Sequence, residues 1–114
     1  MGFFSRIFGG DEDAVTVETA DLENAVRKAG RAVGRVQGVG FRFFVQSNAQ
    51  GLGITGWVKN MSDGSVTMEL QGESTVIAEL VARIKKGRNR IKVTKFELND
   101  LPVVEGENEF AIRR

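Results

Sequence analysis

The chain has 114 residues, of which 41% are hydrophobic and 27% are charged, so it has the length and composition of a globular protein with one sizeable core. It contains neither cysteine nor histidine. This excludes disulfides, a thiolate nucleophile, and histidine as a general base or metal ligand. Any chemistry must therefore use arginine, lysine, carboxylate, amide or backbone groups.

The start of the chain differs in charge from the remainder. Residues 1–26 carry one base and six acids (net −5), whereas residues 27–114 carry 15 bases and 9 acids (net +6). We predict an acidic N-terminal leader over 1–26, flexible or partly helical, and a basic domain over 27–114 that suits an anionic ligand. Within the leader, "MGFFSRIF" predicts a frayed amphipathic turn, and "TADLENAVRKAG" predicts one or two helical turns that stop at Gly30.

No stretch of the sequence approaches the roughly 18 apolar residues of a membrane span. The first ten residues, "MGFFSRIFGG", lack the basic and apolar regions of a secretory signal. We therefore expect a cytoplasmic protein with no membrane span.

The first regular elements are predicted from periodicity. A short strand ends near Val36, and apolar residues at three- and four-residue spacing predict a helix from about Arg42 to Gly51. The segment "ITGWVKN" is typical of a strand, and "SDG" indicates a hairpin turn. On the returning strand three apolar residues alternate with polar ones: Val66, Met68 and Leu70.

A second amphipathic helix follows, for which Ser74 is the predicted N-cap and Gly87 the stop. The segment "IKVTKFELND" predicts a strand, and a phase slip between Val93 and Phe96 suggests a β-bulge in it. The segment "NEFAIRR" predicts a short last strand with two inward-facing side chains, Phe110 and Ile112.

This order of elements is β-α-β-β-α-β with a short C-terminal strand. It predicts an α+β fold, a ferredoxin-like βαββαβ sandwich in which an antiparallel sheet carries two helices on one face. Many unrelated functions use that architecture, so the function must be argued from a site.

The segment "GRVQGVGFRFF", residues 34–44, is the candidate site. Its glycines lie between a strand end and a helix start, where successive backbone N–H groups and the helix dipole can form an anion cradle. Gly38 and Gly40 lie where such a cradle needs them, and Arg42 at the helix start can hold two oxygens of a phosphate. The simpler alternative is a glycine turn beside a surface arginine.

Three nucleotide-related sequence patterns match the same loop only in part or not at all. Its glycine spacing is not G-x-G-x-x-G and no G-K-[ST] follows, so neither dinucleotide nor P-loop binding is supported. The RNA-recognition strand motif fits only in part, because Val39 replaces a stacking aromatic and Arg42 replaces an aliphatic residue. A ferredoxin-like module that binds RNA or another anion without catalysis therefore remains the alternative.

Two blocks of sequence together resemble the acylphosphatases. The first is "GRVQGVGFR" and the second is "AQGLGITGWVKNMSDGSVTMELQG", with "FAIRR" at the end of the chain. The resemblance runs from about Gly34 to the C-terminus. It implies a small, monomeric, ferredoxin-like enzyme that needs no cofactor and no metal. The implied reaction is hydrolysis of acyl phosphates to a carboxylate and inorganic phosphate, and inorganic phosphate is also expected to compete with the substrate. No nucleic-acid partner is expected.

The resemblance also implies roles for individual residues. Asn60, at the end of a strand, would orient the attacking water, and Arg42 would anchor the phosphate. The rest of the phosphate-binding loop would be Gln37, Gly38, Val39, Gly40 and Phe41.

Overall fold

The computed structural model describes residues 14–16 and 22–114. Six strands and two helices follow one another along the chain. The strands are β1 Val15–Thr16, β2 Ala25–Arg35, β3 Thr55–Asn60, β4 Val66–Glu73, β5 Lys92–Leu101 and β6 Glu109–Arg113; the helices are α1 Phe41–Gly51 and α2 Ser74–Lys86. Neither helix of the described ranges is long and apolar enough to cross a bilayer.

The six strands form one sheet in the order β1-β6-β3-β4-β2-β5. The four strands of the predicted βαββαβ unit pair antiparallel with one another, as expected. The short C-terminal strand, for which the sequence predicted no direction, runs parallel to β3. After β5 the chain crosses to the opposite edge of the sheet and reverses, which gives β6 the direction of β3. The sheet is therefore mixed.

The N-terminal elements differ most from prediction. Of the helical turns predicted up to Gly30, the part described from Leu22 onwards contains a single 3-10 turn, Leu22–Asn24, after which β2 starts at once and runs for 11 residues. Val15 and Thr16, inside the predicted leader, pair with Phe110 and Glu109 of β6. The proposed turn in "MGFFSRIF" lies outside the described residues.

Both helices pack on the same face of the sheet and contact each other. The apolar stripe of α1 is buried at Phe41, Val45 and Ala49, and the alternation predicted for β4 is confirmed by its three buried apolar side chains. Phe110 and Ile112 also face this core, as predicted. Helix α2 begins one residue earlier than predicted, because Glu73 is its N-cap and Ser74 its first residue. One continuous core therefore fixes where the two helices begin.

The predicted β-bulge in β5 is confirmed. Val33 pairs with Lys95 but the next residue, Gly34, pairs with Val93, so Thr94 is the extra residue of β5. The Thr94 hydroxyl donates a hydrogen bond of 3.2 Å to the Val33 carbonyl. Bulges bend a strand and increase its twist. This one lies where β2 ends, directly before the glycine loop.

A buried arginine holds the β5–β6 connection against the face of the sheet that lies away from the helices. Arg27 is 3% exposed and donates hydrogen bonds to Glu69 at 2.8 Å and to Glu107 at 2.8 and 3.2 Å. Gln71 accepts from Arg27 and exchanges two hydrogen bonds with the backbone of Val104. Burial opposes the charged form of Arg27, but the bonds to the two carboxylates outweigh it and raise its pKa.

We expect Arg27→Ala to lower the free energy of unfolding by about 2–4 kcal/mol, because it leaves two partly buried carboxylates without their cation. The matched control is Lys28→Ala on the same strand, whose partner Asp100 is 85% exposed. That variant should lose less than about 1 kcal/mol, as exposed ion pairs do. Urea unfolding measures both, and equal losses would contradict the role given to Arg27.

Candidate functional site

The glycine loop, residues 36–40, joins the end of β2 to the start of α1. It is anchored at both ends by core side chains, since Val36 and Phe41 are each 1% exposed. Between these anchors Gly38 and Gly40 are exposed and have left-handed φ angles of 76° and 80°. No atom lies within 4 Å of where a Cβ would project from either glycine. The backbone conformation requires glycine here, and the space above the loop is open.

The backbone of this loop supplies hydrogen-bond donors. The first intrahelical bond of α1 runs from the Phe44 N–H to the Gly40 carbonyl at 3.0 Å. The N–H groups of residues 41–43 precede that bond and have no carbonyl within the helix to pair with. Gly40, as the N-cap, has no side chain to cap them. Exposed N–H groups at the positive end of a helix dipole favour an anion.

Arg42 is the second residue of α1 and is half-buried. It is the only charged residue in the sequence between Val36 and Val58. Within this stretch of the sequence, Arg42 and the N-terminus of α1 therefore supply the positive charge.

The side chain of Gln37 ties the glycine loop to the β3–β4 hairpin. Its amide nitrogen donates two hydrogen bonds, at 2.8 Å to the carbonyl of Met61 and at 2.9 Å to the carbonyl of Ser65. Met61 directly follows Asn60. The same tie therefore fixes the distance between the loop and the end of β3.

Asn60 is the last residue of β3 and pairs with Val66 of β4. Its side-chain oxygen Oδ1 is buried, yet no donor among the described residues forms a hydrogen bond with it. Buried polar atoms are almost always paired, so an acceptor without a protein partner indicates a place for a water molecule or a ligand. The loop and Asn60, which the sequence places 20 residues apart, are brought to one end of the sheet.

The hairpin that carries Asn60 is closed by side-chain contacts as well as by its backbone. Met61 N–H donates to the Ser65 carbonyl at 2.9 Å, and Asp63 accepts from Ser65 N–H at 2.9 Å and Ser65 Oγ at 2.6 Å. Arg31 donates to the other oxygen of Asp63 at 3.1 Å. The bonds from Ser65, followed by that from Arg31, lower the pKa of Asp63 to about 2. The turn thus has a carboxylate that is ionised at neutral pH and already engaged by three donors from two residues.

In the ranges 14–16 and 22–114, no group of three or more acidic side chains is arranged to hold a metal ion. The arrangement combines backbone N–H groups, the guanidinium of Arg42 and the neutral carboxamide of Asn60, whose Oδ1 accepts no hydrogen bond from the described residues. Such a site can bind a phosphoryl group and orient a water molecule.

Residues 28–112 match the family model described as Acylphosphatase. An acylphosphatase from Clostridium beijerinckii is 46% identical over 88 residues, which cover 77% of this chain and 98% of the relative. The chain belongs to the acylphosphatase family.

Solved structures of acylphosphatases have the same fold. The enzyme from Bacillus subtilis superposes with a TM-score of 0.74 at 36% identity, covering 78% of this chain and 99% of the other. The acylphosphatase from Coxiella burnetii gives a TM-score of 0.75 at 33% identity, covering 84% and 100%. The resemblance noted from the sequence is thus confirmed, as is the fold class.

The structure adds to what the sequence indicated about this acylphosphatase-family site. Gln37 was assigned to the phosphate-binding loop, whereas its side chain is engaged with the hairpin. No pattern in the sequence shows which side chain of the loop reaches the hairpin, because that contact spans 24 residues and depends on how β2 lies beside β4.

We expect Gln37→Glu to lower the free energy of unfolding by about 1–2 kcal/mol, because a carboxylate cannot donate and would face two carbonyl oxygens. Gln50→Glu, on an exposed position of α1, is the control and should stay within about 0.5 kcal/mol of the parent. Urea unfolding near neutral pH is the measurement. If the two variants had equal free energies of unfolding, the hydrogen bonds from Gln37 to the hairpin would not contribute to stability.

Proposed function

We propose that the protein hydrolyses the carboxyl–phosphate bond of acyl phosphates, releasing a carboxylate and inorganic phosphate. Membership of the acylphosphatase family supports the reaction class. The observation that carries the assignment of the site is the buried Oδ1 of Asn60, which accepts no hydrogen bond from residues 14–16 and 22–114 and lies one residue from the carbonyl that Gln37 holds. It is the acceptor that an attacking water needs, next to a seat for phosphate.

In this proposal the phosphoryl oxygens bind the main-chain N–H groups of residues 37–41, those of residues 42 and 43 at the start of α1, and the guanidinium of Arg42. A guanidinium can hold two phosphate oxygens at once with its planar donors. The main-chain donors are fixed before substrate arrives, because Val36 and Phe41 are in the core and Gln37 is tied to the hairpin. Donors that need not reorganise are the main source of electrostatic catalysis.

Asn60 orients the water in this proposal. Its carboxamide accepts a hydrogen bond at Oδ1 and donates from Nδ2, and it does so without a charge. An aspartate at the same place would repel the phosphoryl oxygens. The neutral amide therefore holds a water close to phosphorus at little electrostatic cost.

The chemistry of the leaving group explains why no acid is required. The water oxygen forms a new bond to phosphorus while the bond from phosphorus to the carboxyl oxygen breaks, and the electron pair leaves on the carboxylate. Carboxylic acids have pKa values of about 4–5, so the carboxylate departs without protonation. The barrier lies in bringing water to a phosphorus shielded by negative oxygens, and fixed donors lower it. Phosphate monoesters, with far more basic leaving groups, should be poor substrates.

The finer expectations from the sequence belong to the same proposal. All groups of the proposed site come from one chain, which supports activity as a monomer. The chain has no cysteine and therefore no disulfide that would require an oxidising compartment, which suits the cytoplasm. Inorganic phosphate should compete with substrate because it occupies the same seat. The match over 28–112 supports residues 27–114 as the acylphosphatase-like domain, preceded by the leader 1–26.

Asn60→Ala should reduce kcat for benzoyl phosphate by roughly 100- to 1000-fold, as expected for loss of one preorganised group, while the inhibition constant of inorganic phosphate changes little. The assay is run with a chelator present. Asn99→Ala, at an exposed position of β5, is the matched control and should keep the parental rate. A parental kcat in Asn60→Ala would show that this amide does not position the water.

Arg42→Lys should nearly abolish turnover of benzoyl phosphate and also weaken inhibition by inorganic phosphate, because an ammonium cannot make the two-pronged contact. Arg90→Lys, on the exposed turn after α2, is the control for loss of a guanidinium as such. Arg42→Lys must retain the parental urea midpoint for the comparison to stand. Undiminished affinity for phosphate in this variant would refute the role of Arg42 as anchor.

A further inference from the structure

A cavity of about 280 Å³ opens next to the glycine loop, between the first turns of α1 and the α2–β5 turn, residues 87–91. Its wall combines apolar and polar side chains and includes two residues of the loop itself, Val39 and Gly40. The other apolar lining residues are Phe43, Phe44 and Ile91, and the polar ones are Ser47, Asn48, Arg88 and Asn89. No acidic side chain lines it.

The topology places this cavity on the side of the loop away from Asn60. Strand β2 lies between β4 and β5: Ala32 pairs with Val66 next to the hairpin, and Arg35 pairs with Lys92 next to the α2–β5 turn. The glycine loop leaves β2 directly after Arg35. It is therefore flanked by the hairpin with Asn60 on one side and by the α2–β5 turn on the other.

Phosphoryl transfer requires the attacking and leaving oxygens to be roughly in line, on opposite sides of phosphorus. A water held by Asn60 approaches from the hairpin side. The carboxyl oxygen must then leave towards the α2–β5 turn, where the cavity lies. We propose that this cavity binds the acyl group of the substrate and favours an apolar acyl group of aromatic size; the inference rests on the proposed function.

The exposure of Phe43 supports an apolar occupant. Its side chain is 61% exposed, more than any other large apolar side chain of the described ranges. Phe44 and Ile91 lie behind it in the same wall. A ring or branched chain seated here would cover Phe43 and remove apolar area from water on both molecules.

The wall of the cavity is held in place before any ligand binds. Asn48 donates to the Phe44 carbonyl at 2.8 Å and accepts from Arg83 of α2 at 2.9 Å, which links the two helices. In the α2–β5 turn, Ile91 N–H donates to the Arg88 carbonyl at 2.9 Å. A preformed wall lowers the entropy lost on binding.

The test compares kcat/KM for benzoyl phosphate with kcat/KM for acetyl phosphate in Phe43→Ala. The ratio of the two should fall about 5- to 20-fold, at the low end for loss of one apolar contact in a specificity pocket. Phe43→Leu should restore part of it. Val104→Ala removes an exposed apolar side chain from the β5–β6 connection and should leave the ratio unchanged.

The outcomes separate this inference from the function beneath it. If the parent protein hydrolyses neither substrate, the proposed function fails. If it hydrolyses both, and Phe43→Ala lowers both equally or neither, the acyl subsite is refuted while the function stands. Succinyl phosphate, whose acyl group carries a negative charge, is the third substrate. The inference is overturned if the parent prefers succinyl phosphate, Arg88→Ala removes that preference, and Phe43→Ala leaves the ratio of benzoyl to acetyl phosphate unchanged. The cavity would then recognise charge.

Discussion

The site depends on two hydrogen bonds from one side chain. Gln37 donates from its amide nitrogen to the carbonyls of Met61 and Ser65, and so joins a loop that follows β2 to a hairpin that precedes β4. A loop with two left-handed glycines has little stiffness of its own. Its position is defined by this tie together with the core side chains at its ends. The separation between backbone donors and Asn60 follows from that constraint.

The charges around the site suit a substrate that brings its own negative charge and an easily released carboxylate. Arg42 and the start of α1 contribute positive potential, and the neutral amide of Asn60 lies at the same end of the sheet. The nearby carboxylate, Asp63, is already engaged by Ser65 and Arg31. Its low pKa follows from those contacts, so it is poorly suited to exchange protons with a substrate near neutral pH.

Local patterns predicted the parts of the fold that are locally determined. Alternation identified β4, helical spacing identified α1 and α2, and a phase slip located the bulge at Thr94. The length of β2 was underestimated because contacts with other strands, and not its own sequence pattern, determine it. Gly30 interrupts the apolar pattern of β2, but the position is closely packed: a Cβ there would lie 3.0 Å from side-chain atoms of Met68 and Phe96. The loop was predicted from its glycines and arginine and Asn60 from the resemblance to acylphosphatases, whereas the reach of Gln37 and the wall around Phe43 require coordinates.

Asn60 has a further consequence for how this chain can change over generations. Its Oδ1 accepts no hydrogen bond from the described protein, so the fold gains nothing from that oxygen. Gln37, in contrast, is retained by the architecture itself. Selection for a well-folded protein alone would therefore not retain Asn60, and under the role proposed for it a descendant that lost it would keep the fold and the glycine loop without turnover.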